Sequence, residues 1–298
     1  MKKRVLAAMM ACAMAAGLLS GCSSEPKNPG DSNEPVTTAA AGQTEAGDAT
    51  AAAQEESGPK IFHDYMTTDV DTINPHIYTM SVSGDVIART SLQLYRQYPN
   101  AEGTSFEYLP ELAEKEPEQT DEEGKVWHIK IRENAKWENG DAIDVDDVIY
   151  SFKMCLDPIM VNSRASQLAS DYITITKASD YSLQGNAGTV AWEDVGIKKA
   201  DDYTLELQLD APVTAEDIKS HFNYVWTCLV HEPTYEACMS EDRSTNTYGS
   251  TREKYMSCGA FILDQWIAGS QFDMKKNPDF VLGDKIKLDG YNYKIVGD

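Results

Sequence analysis

The sequence holds one dense group of carboxylates that could coordinate a cation. Asp141, Asp144, Asp146 and Asp147 fall within seven consecutive positions. An EF-hand loop also needs a glycine at its sharp turn and a distal glutamate ligand, and this segment lacks both. Carboxylates are equally favoured in the first turn of a helix, where they cap free N–H groups and interact with the helix dipole. We therefore predict a helix start at Asp144, with a cation site as the alternative.

The histidines and potential nucleophiles show no catalytic spacing. No HExxH, GxSxG, GxGxxG or P-loop pattern occurs in the sequence. Enzymes that use covalent catalysis place a nucleophile beside a base, and no such constellation is present. The sequence therefore predicts a protein that is not an enzyme and holds no cofactor. We interpret the five histidines as solvated or hydrogen-bonded structural residues: His63, His76, His128, His221 and His231.

The first 22 residues have the order of a bacterial export signal. Basic residues at positions 2–4 precede an apolar run over residues 5–19, which is shorter than the about 20 residues of a spanning helix. Residues 19–22 read LSGC and resemble the lipobox, whose cysteine is acylated and becomes the first residue. We predict a signal peptide over residues 1–21 and a lipid on Cys22, with a chance cysteine as the alternative. The protein would be a lipoprotein of the cell membrane that faces outside the cytoplasm, in a periplasm or at the cell surface.

Charge and cysteine content exclude several classes of protein. Removal of residues 1–21 leaves 23 Lys and Arg against 48 Asp and Glu, a formal net charge of −25. Phosphate backbones repel such a chain, so nucleic acid is excluded as a partner. Cys155, Cys228, Cys238 and Cys258 fit no metal-binding spacing. We predict that several of them are buried apolar residues, with a disulfide as the alternative in an oxidising compartment.

The chain divides into a tether and a folded part. Residues 22–59 are dominated by small and polar residues and cannot bury enough apolar surface to offset the entropy of ordering. We predict a disordered low-complexity tether there. The folded part, over residues 60–298, mixes period-two and helical patterns, which indicates an α/β fold.

Several local elements can be predicted in the folded part. Apolar residues alternate with polar ones over residues 127–131, 203–209 and 291–295, which indicates half-buried strands. Gly269 and Ser270 separate two further apolar segments and predict a hairpin. Asp144 with Asp147, and Thr214 with Asp217, predict two helix starts with capping boxes.

Several segments also resemble, in the same order, those of a known family. Residues 137–152 read WENGDAIDVDDVIYSF, and residues 109–113, 200–205 and 276–280 read LPELA, ADDYTL and KNPDF. These segments resemble the peptide/nickel class of solute-binding proteins of ABC importers, solute-binding protein family 5. The chain departs from the family pattern at Ala142, where proline is usual. The positions that match the family signature are Trp137, Gly140, Asp147, Val148, Ser151 and Asn277.

The resemblance implies a type II periplasmic-binding-protein-like fold of the peptide-binding cluster, with two lobes and the ligand between them. The chain is expected to contain the first lobe with its extra subdomain and to lack the second lobe. Subdomain I is predicted at about 60–85 and 200–298, and subdomain II at about 86–199. A terminal strand without its continuation is expected to leave an exposed apolar strip near Trp137, Trp226 or the terminal tyrosines.

The resemblance also indicates where a ligand would lie. The end of the first strand, at Thr67, Thr68 and Asp69, could pair with an extended peptide, with a solvated loop as the alternative. Aromatic side chains are expected to cover peptide side chains, with core packing as the alternative. The aromatic candidates are Tyr78, Tyr224 and Trp226.

The function implied by the resemblance is the capture of oligopeptides or dipeptides for an ABC importer. The partners would be a peptide ligand, the permease subunits of the importer and the membrane, through the lipid on Cys22. A nickel complex, a haem or a sugar remains open as the ligand. The alternative functions are a truncated surface lipoprotein that acts as a sensor or decoy, and an inactive gene fragment.

Overall fold

The computed structural model describes residues 58–297. The predicted signal peptide, Cys22 and most of the predicted tether lie outside these residues. No helix among the described residues is long and apolar enough to cross a membrane.

Ten strands and six α-helices make up the described part of the chain. The strands are β1 Ile61–Met66, β2 Tyr95–Pro99, β3 Phe106–Pro110, β4 Glu118–Gln119, β5 Val126–Lys130, β6 Ile197–Asp201, β7 Thr204–Gln208, β8 Phe261–Ile267, β9 Gln271–Lys276 and β10 Gly290–Ile295. The helices are α1 Ser81–Thr90, α2 Val145–Cys155, α3 Ala165–Ser170, α4 Ala178–Leu183, α5 Ala215–His221 and α6 Glu232–Ala237.

The first sheet joins the two ends of the described chain in the order β1-β10-β9-β8. β10 pairs in parallel with β1 and antiparallel with β9, so it is an interior strand. The expectation of an uncovered terminal strand is therefore wrong, because β1 supplies its second partner. Tyr291 and Tyr293 are buried at 9% and 3% exposure, and Trp137 at 1%, so no exposed strip forms at these three residues.

The exposed apolar side chains of this sheet lie on its two edge strands, three on β1 and Ile267, at 44% exposure, on β8. Ile61, Phe62 and Tyr65 are 38%, 47% and 67% exposed. β1 is an edge strand with β10 as its neighbour. The hairpin of β8 and β9 at the other edge confirms the predicted turn, with Gly269 at a φ of +70°.

The second sheet has the order β4-β5-β7-β6 and packs against α2. Trp127 and Ile129 on β5, and Leu205 and Leu207 on β7, are buried as the alternating pattern predicts. β6 and β7 form an antiparallel hairpin that crosses the predicted subdomain boundary at residue 199. Because both strands belong to this sheet, we propose that subdomain II extends through β7.

Both predicted helix starts are confirmed as capping boxes. At α2, Asp144 accepts a hydrogen bond from the backbone N–H of Asp146, and Asp147 accepts one from Asp144. At α5, Thr214 and Asp217 exchange the same pair of contacts. Each pair satisfies N–H groups that a helix start leaves free.

The four described cysteines are free thiols. Cys155, Cys228 and Cys258 are buried and Cys238 is half-buried, which confirms the prediction that several serve as small apolar residues. Burial raises the pKa of the Cys228 thiol to about 12, so it is un-ionised at neutral pH.

Candidate functional site

A loop over residues 67–80 follows β1 and carries four of the six predicted ligand-binding residues. Thr67 and Thr68 are exposed, and Asp69 is half-buried. Asp69 accepts hydrogen bonds from the backbone N–H groups of Val70 at 2.8 Å and Gly269 at 2.6 Å. Its carboxylate therefore ties the loop to the turn between β8 and β9, whereas the two threonines remain open to solvent.

Asp71 organises the middle of this loop. Its carboxylate accepts hydrogen bonds from the Ser83 hydroxyl at 2.5 Å and from the Thr79 hydroxyl and N–H at 2.5 and 2.7 Å. Partial burial disfavours the charged form, but the donors from Ser83 and Thr79 outweigh it and lower the pKa of Asp71 to about 2. The charged carboxylate thus holds the loop against the start of α1 at neutral pH.

Tyr78 lies at the end of the loop and packs against Arg164. The guanidinium carbon of Arg164 lies 4.3 Å from the ring centroid of Tyr78, within cation–π range. Nη2 of Arg164 donates to the carbonyl oxygen of Tyr78 at 2.8 Å. Burial raises the pKa of the Tyr78 hydroxyl, and the charge of Arg164 opposes that rise. Gly84 of α1 lies against the ring, and a Cβ there would be in van der Waals contact with it at 3.4 Å.

Arg164 has unused hydrogen-bonding capacity. Its Nε is buried without a hydrogen-bond acceptor among the described residues. Four other arginines pair with carboxylates, namely Arg89, Arg96, Arg243 and Arg252. Arg164 forms no such ion pair within residues 58–297. The positive charge of Arg164 is therefore not neutralised by a carboxylate of the described chain.

Tyr224 and Trp226, the other two predicted aromatic residues, are stacked on one another. Their ring centroids are 4.2 Å apart at an interplanar angle of 8°. Tyr172 extends the stack on the other side of Tyr224, at 5.4 Å and 17°, and the two tyrosine hydroxyls hydrogen bond. That hydrogen bond and burial raise the pKa of Tyr224. Tyr172 is 46% exposed, so the stack is open to solvent at its Tyr172 end.

Helices α1 and α3 bring the loop and the stack to one region. Both pack against the 3₁₀ turn Val225–Thr227, which contains Trp226. Arg164 is the N-cap of α3, and Tyr172 follows that helix. The structure therefore forms two sets of contacts around this turn, Tyr78 with Arg164, and Tyr224 and Trp226 with Tyr172. Sequence reasoning missed Arg164 and Tyr172, and no local pattern marks either of them.

The family-signature residues make contacts that stabilise the fold. Trp137 is buried, and its Nε1 donates to Asp147 at 3.2 Å. Burial raises the pKa of Asp147 to about 6 despite that contact. Gly140 has a φ of +94°, which side chains disfavour. Val148, Ser151 and Asn277 are buried. The Ser151 hydroxyl accepts a hydrogen bond from the Val230 N–H, and the Asn277 amide donates one to the Gly259 carbonyl oxygen.

The acidic cluster takes part in separate contacts rather than in a shared cation site. Asp144 and Asp147 cap α2, and Asp146 forms an ion pair with Lys199 at 2.8 Å. Asp141 lies 3.5 Å from His231. No group of three or more metal-ligating side chains occurs in the part of the chain that the structure describes.

Comparison with known families identifies the class of protein. The model of the bacterial extracellular solute-binding proteins, family 5, middle region, matches residues 107–298. This match covers more than half of the chain, and the chain belongs to that family.

Curated relatives include two proteins of Bacillus subtilis (strain 168). The chain is 28% identical over 235 residues to the oligopeptide-binding protein OppA, covering 79% of this chain and 39% of OppA. It is 29% identical over 242 residues to the dipeptide-binding protein DppE, covering 81% and 40% of the two chains. The chain thus spans about two fifths of the length of these relatives.

Solved structures show the same fold. Listeria monocytogenes OppA bound to peptide matches with a TM-score of 0.68 and 25% identity, over 80% of this chain and 43% of that chain. An oligopeptide ABC transporter substrate-binding domain from Bacillus anthracis matches with a TM-score of 0.68 and 23% identity, over 80% and 42% of the two chains. The fold is therefore the type II periplasmic-binding-protein-like α/β fold, as predicted.

Proposed function

We propose that this protein captures oligopeptides or dipeptides outside the cytoplasm and passes them to the permease subunits of an ABC importer. Family membership supports this class of function, and the names of the Bacillus relatives support peptides as the ligand. Within the chain, the observation that carries the proposal is Arg164, which stacks on Tyr78 and has no carboxylate partner among residues 58–297.

The proposed site suits a peptide in its chemistry. The Arg164 guanidinium offers N–H donors and a positive charge to a peptide carbonyl or C-terminal carboxylate. The aromatic stack of Tyr172, Tyr224 and Trp226 offers apolar ring surface to a side chain. Thr67 and Thr68 add exposed backbone at the end of β1, where an extended segment could pair. These groups bind and orient a ligand and carry out no covalent step.

The proposal includes the organisation of the whole chain. Residues 1–21 would be removed as a signal peptide, and the lipid on Cys22 would hold the protein at the outer face of the membrane. Residues 22–59 would act as a tether, and residues 60–298 would form a solute-binding lobe with two subdomains. Such a tether keeps the captured peptide at a high local concentration near the importer.

Calorimetry with the full chain tests the binding proposal. A mixed pool of peptides of three to five residues should bind with micromolar or tighter affinity. The same peptides with amidated C-termini should bind more weakly, by roughly tenfold for the loss of one charge-assisted contact. Absence of any heat at high protein concentration would contradict peptide capture by this chain and favour a sensor, decoy or inactive fragment.

A further inference from the structure

The structure also contains a cavity that lies far from the proposed peptide site. It has a volume of about 1070 Å³, at the upper end of the size of small-molecule pockets. We name it the basic groove. Its lining consists of Glu138, Ile262, Lys275, Lys276, Pro278, Phe280, Val281, Leu282, Gly283, Asp284 and Lys285.

Strand pairing places the basic groove at the opposite end of the first sheet from Thr67. Across the four strands, Ile61 of β1 pairs with Gly290, Gly290 with Lys275, and Lys275 with Ile262. Lys275 and Ile262 line the groove, so it lies at the Ile61 end of β1. Thr67 follows the other end of β1. A strand of six residues spans roughly 20 Å, so the groove and the peptide-site loop are separate.

The floor of the basic groove is apolar and firmly held. Phe280 is 6% exposed and belongs to the larger hydrophobic core, against which Val281 and Leu282 also pack. Ile262 on β8 is 8% exposed. Consecutive turns stabilise the segment, because the Gly283 N–H donates to Phe280 and the Lys285 N–H to Leu282. Val281 and Leu282, which are half-buried, therefore leave apolar surface for a hydrocarbon chain on a firmly held segment.

The rim of the groove carries positive charge that lacks carboxylate partners. Lys276 donates to the Ile286 carbonyl oxygen at 2.8 Å, and the Lys285 ammonium lies 5.8 Å from the Tyr98 ring centroid. Neither lysine forms an ion pair within the described chain. Lys275 is paired, with Asp264 at 2.6 Å. Two ammonium groups thus remain for a ligand in a chain whose formal net charge is −22.

The groove lining also contains two acidic residues, but they do not cancel the positive charge of Lys276 and Lys285. Glu138 forms an ion pair with Arg252 at 2.9 Å and accepts a hydrogen bond from the Ser257 N–H at 3.0 Å. Its charge is therefore neutralised by a residue outside the groove. Asp284 remains as a single exposed carboxylate against the ammonium groups of Lys276 and Lys285.

We propose that the basic groove binds a free single-chain amphipathic anion, such as a long-chain carboxylate. The apolar floor takes the hydrocarbon chain, and Lys276 and Lys285 bind the anionic head. The proposal goes beyond peptide capture, because it uses other residues at the other end of the sheet. It assigns a second ligand class to the protein.

Calorimetry with dodecanoate below its micelle concentration tests this proposal on the full chain. The wild type should bind it saturably, and dodecanol should bind more weakly because it lacks the charge. Replacement of Lys276 and Lys285 by Glu should weaken dodecanoate binding by roughly tenfold or more, since each lost contact is charge-assisted. Lys285→Glu alone, at an exposed position, should also weaken it and serves as a variant that retains the fold.

The control is Lys287→Glu, which makes the same charge change two residues from the groove lining. It should leave dodecanoate affinity unchanged, and Arg164→Gln should leave it unchanged as well. The proposal would be overturned if dodecanol bound as tightly as dodecanoate, or if Lys287→Glu and Lys285→Glu weakened dodecanoate binding equally. Binding of the protein to phosphatidylglycerol vesicles without binding of dodecanoate would also overturn it. Loss of peptide binding in Arg164→Gln with retained dodecanoate binding separates the two sites.

Discussion

The guanidinium of Arg164 lies over the ring of Tyr78, 4.3 Å from its centroid, and donates a 2.8 Å hydrogen bond to the Tyr78 carbonyl oxygen. This contact joins the loop after β1 to the start of α3 across 86 positions of sequence. The positive charge of Arg164 has no carboxylate partner among the described residues. We regard this pair as the centre of the proposed peptide site.

Arg164→Gln should weaken peptide binding by roughly tenfold or more, because a charge-assisted contact to the ligand is lost. The thermal midpoint should also fall, because the cation–π contact and the hydrogen bond to Tyr78 are lost with the guanidinium, so affinity is measured well below that midpoint. Arg243→Gln is the matched control, because Arg243 forms an exposed ion pair with Glu236. Calorimetry should show unchanged peptide affinity for this control, and equal losses in both variants would point to general electrostatics instead.

Trp226→Ala should weaken binding of peptides with aromatic or apolar side chains by roughly 3- to 10-fold, the range expected for one aromatic contact. Tyr172→Phe keeps the ring and removes the hydroxyl that bonds to Tyr224. Tyr172→Phe should therefore weaken peptide binding less than Trp226→Ala does. Fluorescence titration with matched peptides measures both effects, and a larger loss in Tyr172→Phe would mean that the hydroxyl contacts the ligand.

Gly249→Ala should destabilise the protein by roughly 1–3 kcal/mol. Gly249 has a φ of +70°, and a Cβ there would lie 2.5 Å from the Asn74 backbone nitrogen. The Gly249 carbonyl also accepts a hydrogen bond from Ile73 within the loop of the peptide site. Gly269→Ala is the control, because it has the same φ of +70° but open space around the new Cβ. Denaturant unfolding should show the larger loss in Gly249→Ala.

The contribution of Asp71 should depend on pH. Its pKa is about 2 in the folded protein, below the ordinary value of 3.8, so the carboxylate stabilises the fold above about pH 4. That stabilisation is lost as the pH falls through the folded pKa. Asp71→Asn should therefore lower the thermal midpoint at pH 7 by roughly 2 °C, a small effect because the group is exposed. The wild type and the variant should converge near pH 2, and a constant difference would contradict this role.

Cys22→Ala should release the protein from the membrane fraction of the producing cell. The reason is that the thiol is the proposed attachment point of the acyl chains. Cys238→Ala is the control, since Cys238 is a half-buried thiol of the folded part. Incorporation of labelled fatty acid should occur in the wild type and in the control and should be absent from Cys22→Ala. Membrane retention of Cys22→Ala would contradict the lipid anchor.

Local features of this fold could be predicted from the sequence, and long-range pairings could not. The alternation at Trp127 and Leu205 and the capping box at Asp144 depend on neighbours within a few residues. The interior position of β10 depends on β1, which lies 229 positions away, and no pattern at Tyr291 indicates that partner.

In the candidate site, too, local features could be predicted from the sequence and long-range contacts could not. Tyr78, Tyr224 and Trp226 could be named as aromatic candidates from the resemblance. Arg164 contacts Tyr78 across 86 positions and Tyr172 contacts Tyr224 across 52, and a single sequence does not encode such contacts in any local spacing. Within the first sheet, the exposed apolar residues lie on the edge strands β1 and β8 rather than on β10, because pairing decides which strands form the edges.

Hydrogen exchange with and without a bound pentapeptide tests the peptide site most directly. Peptide binding should protect backbone amides in residues 67–80, 164–172 and 224–227, because these segments carry the loop, Arg164 and the aromatic stack. Residues 278–286 of the basic groove should exchange at unchanged rates. Protection confined to other segments, or no protection at a saturating peptide concentration, would contradict the assignment of this site.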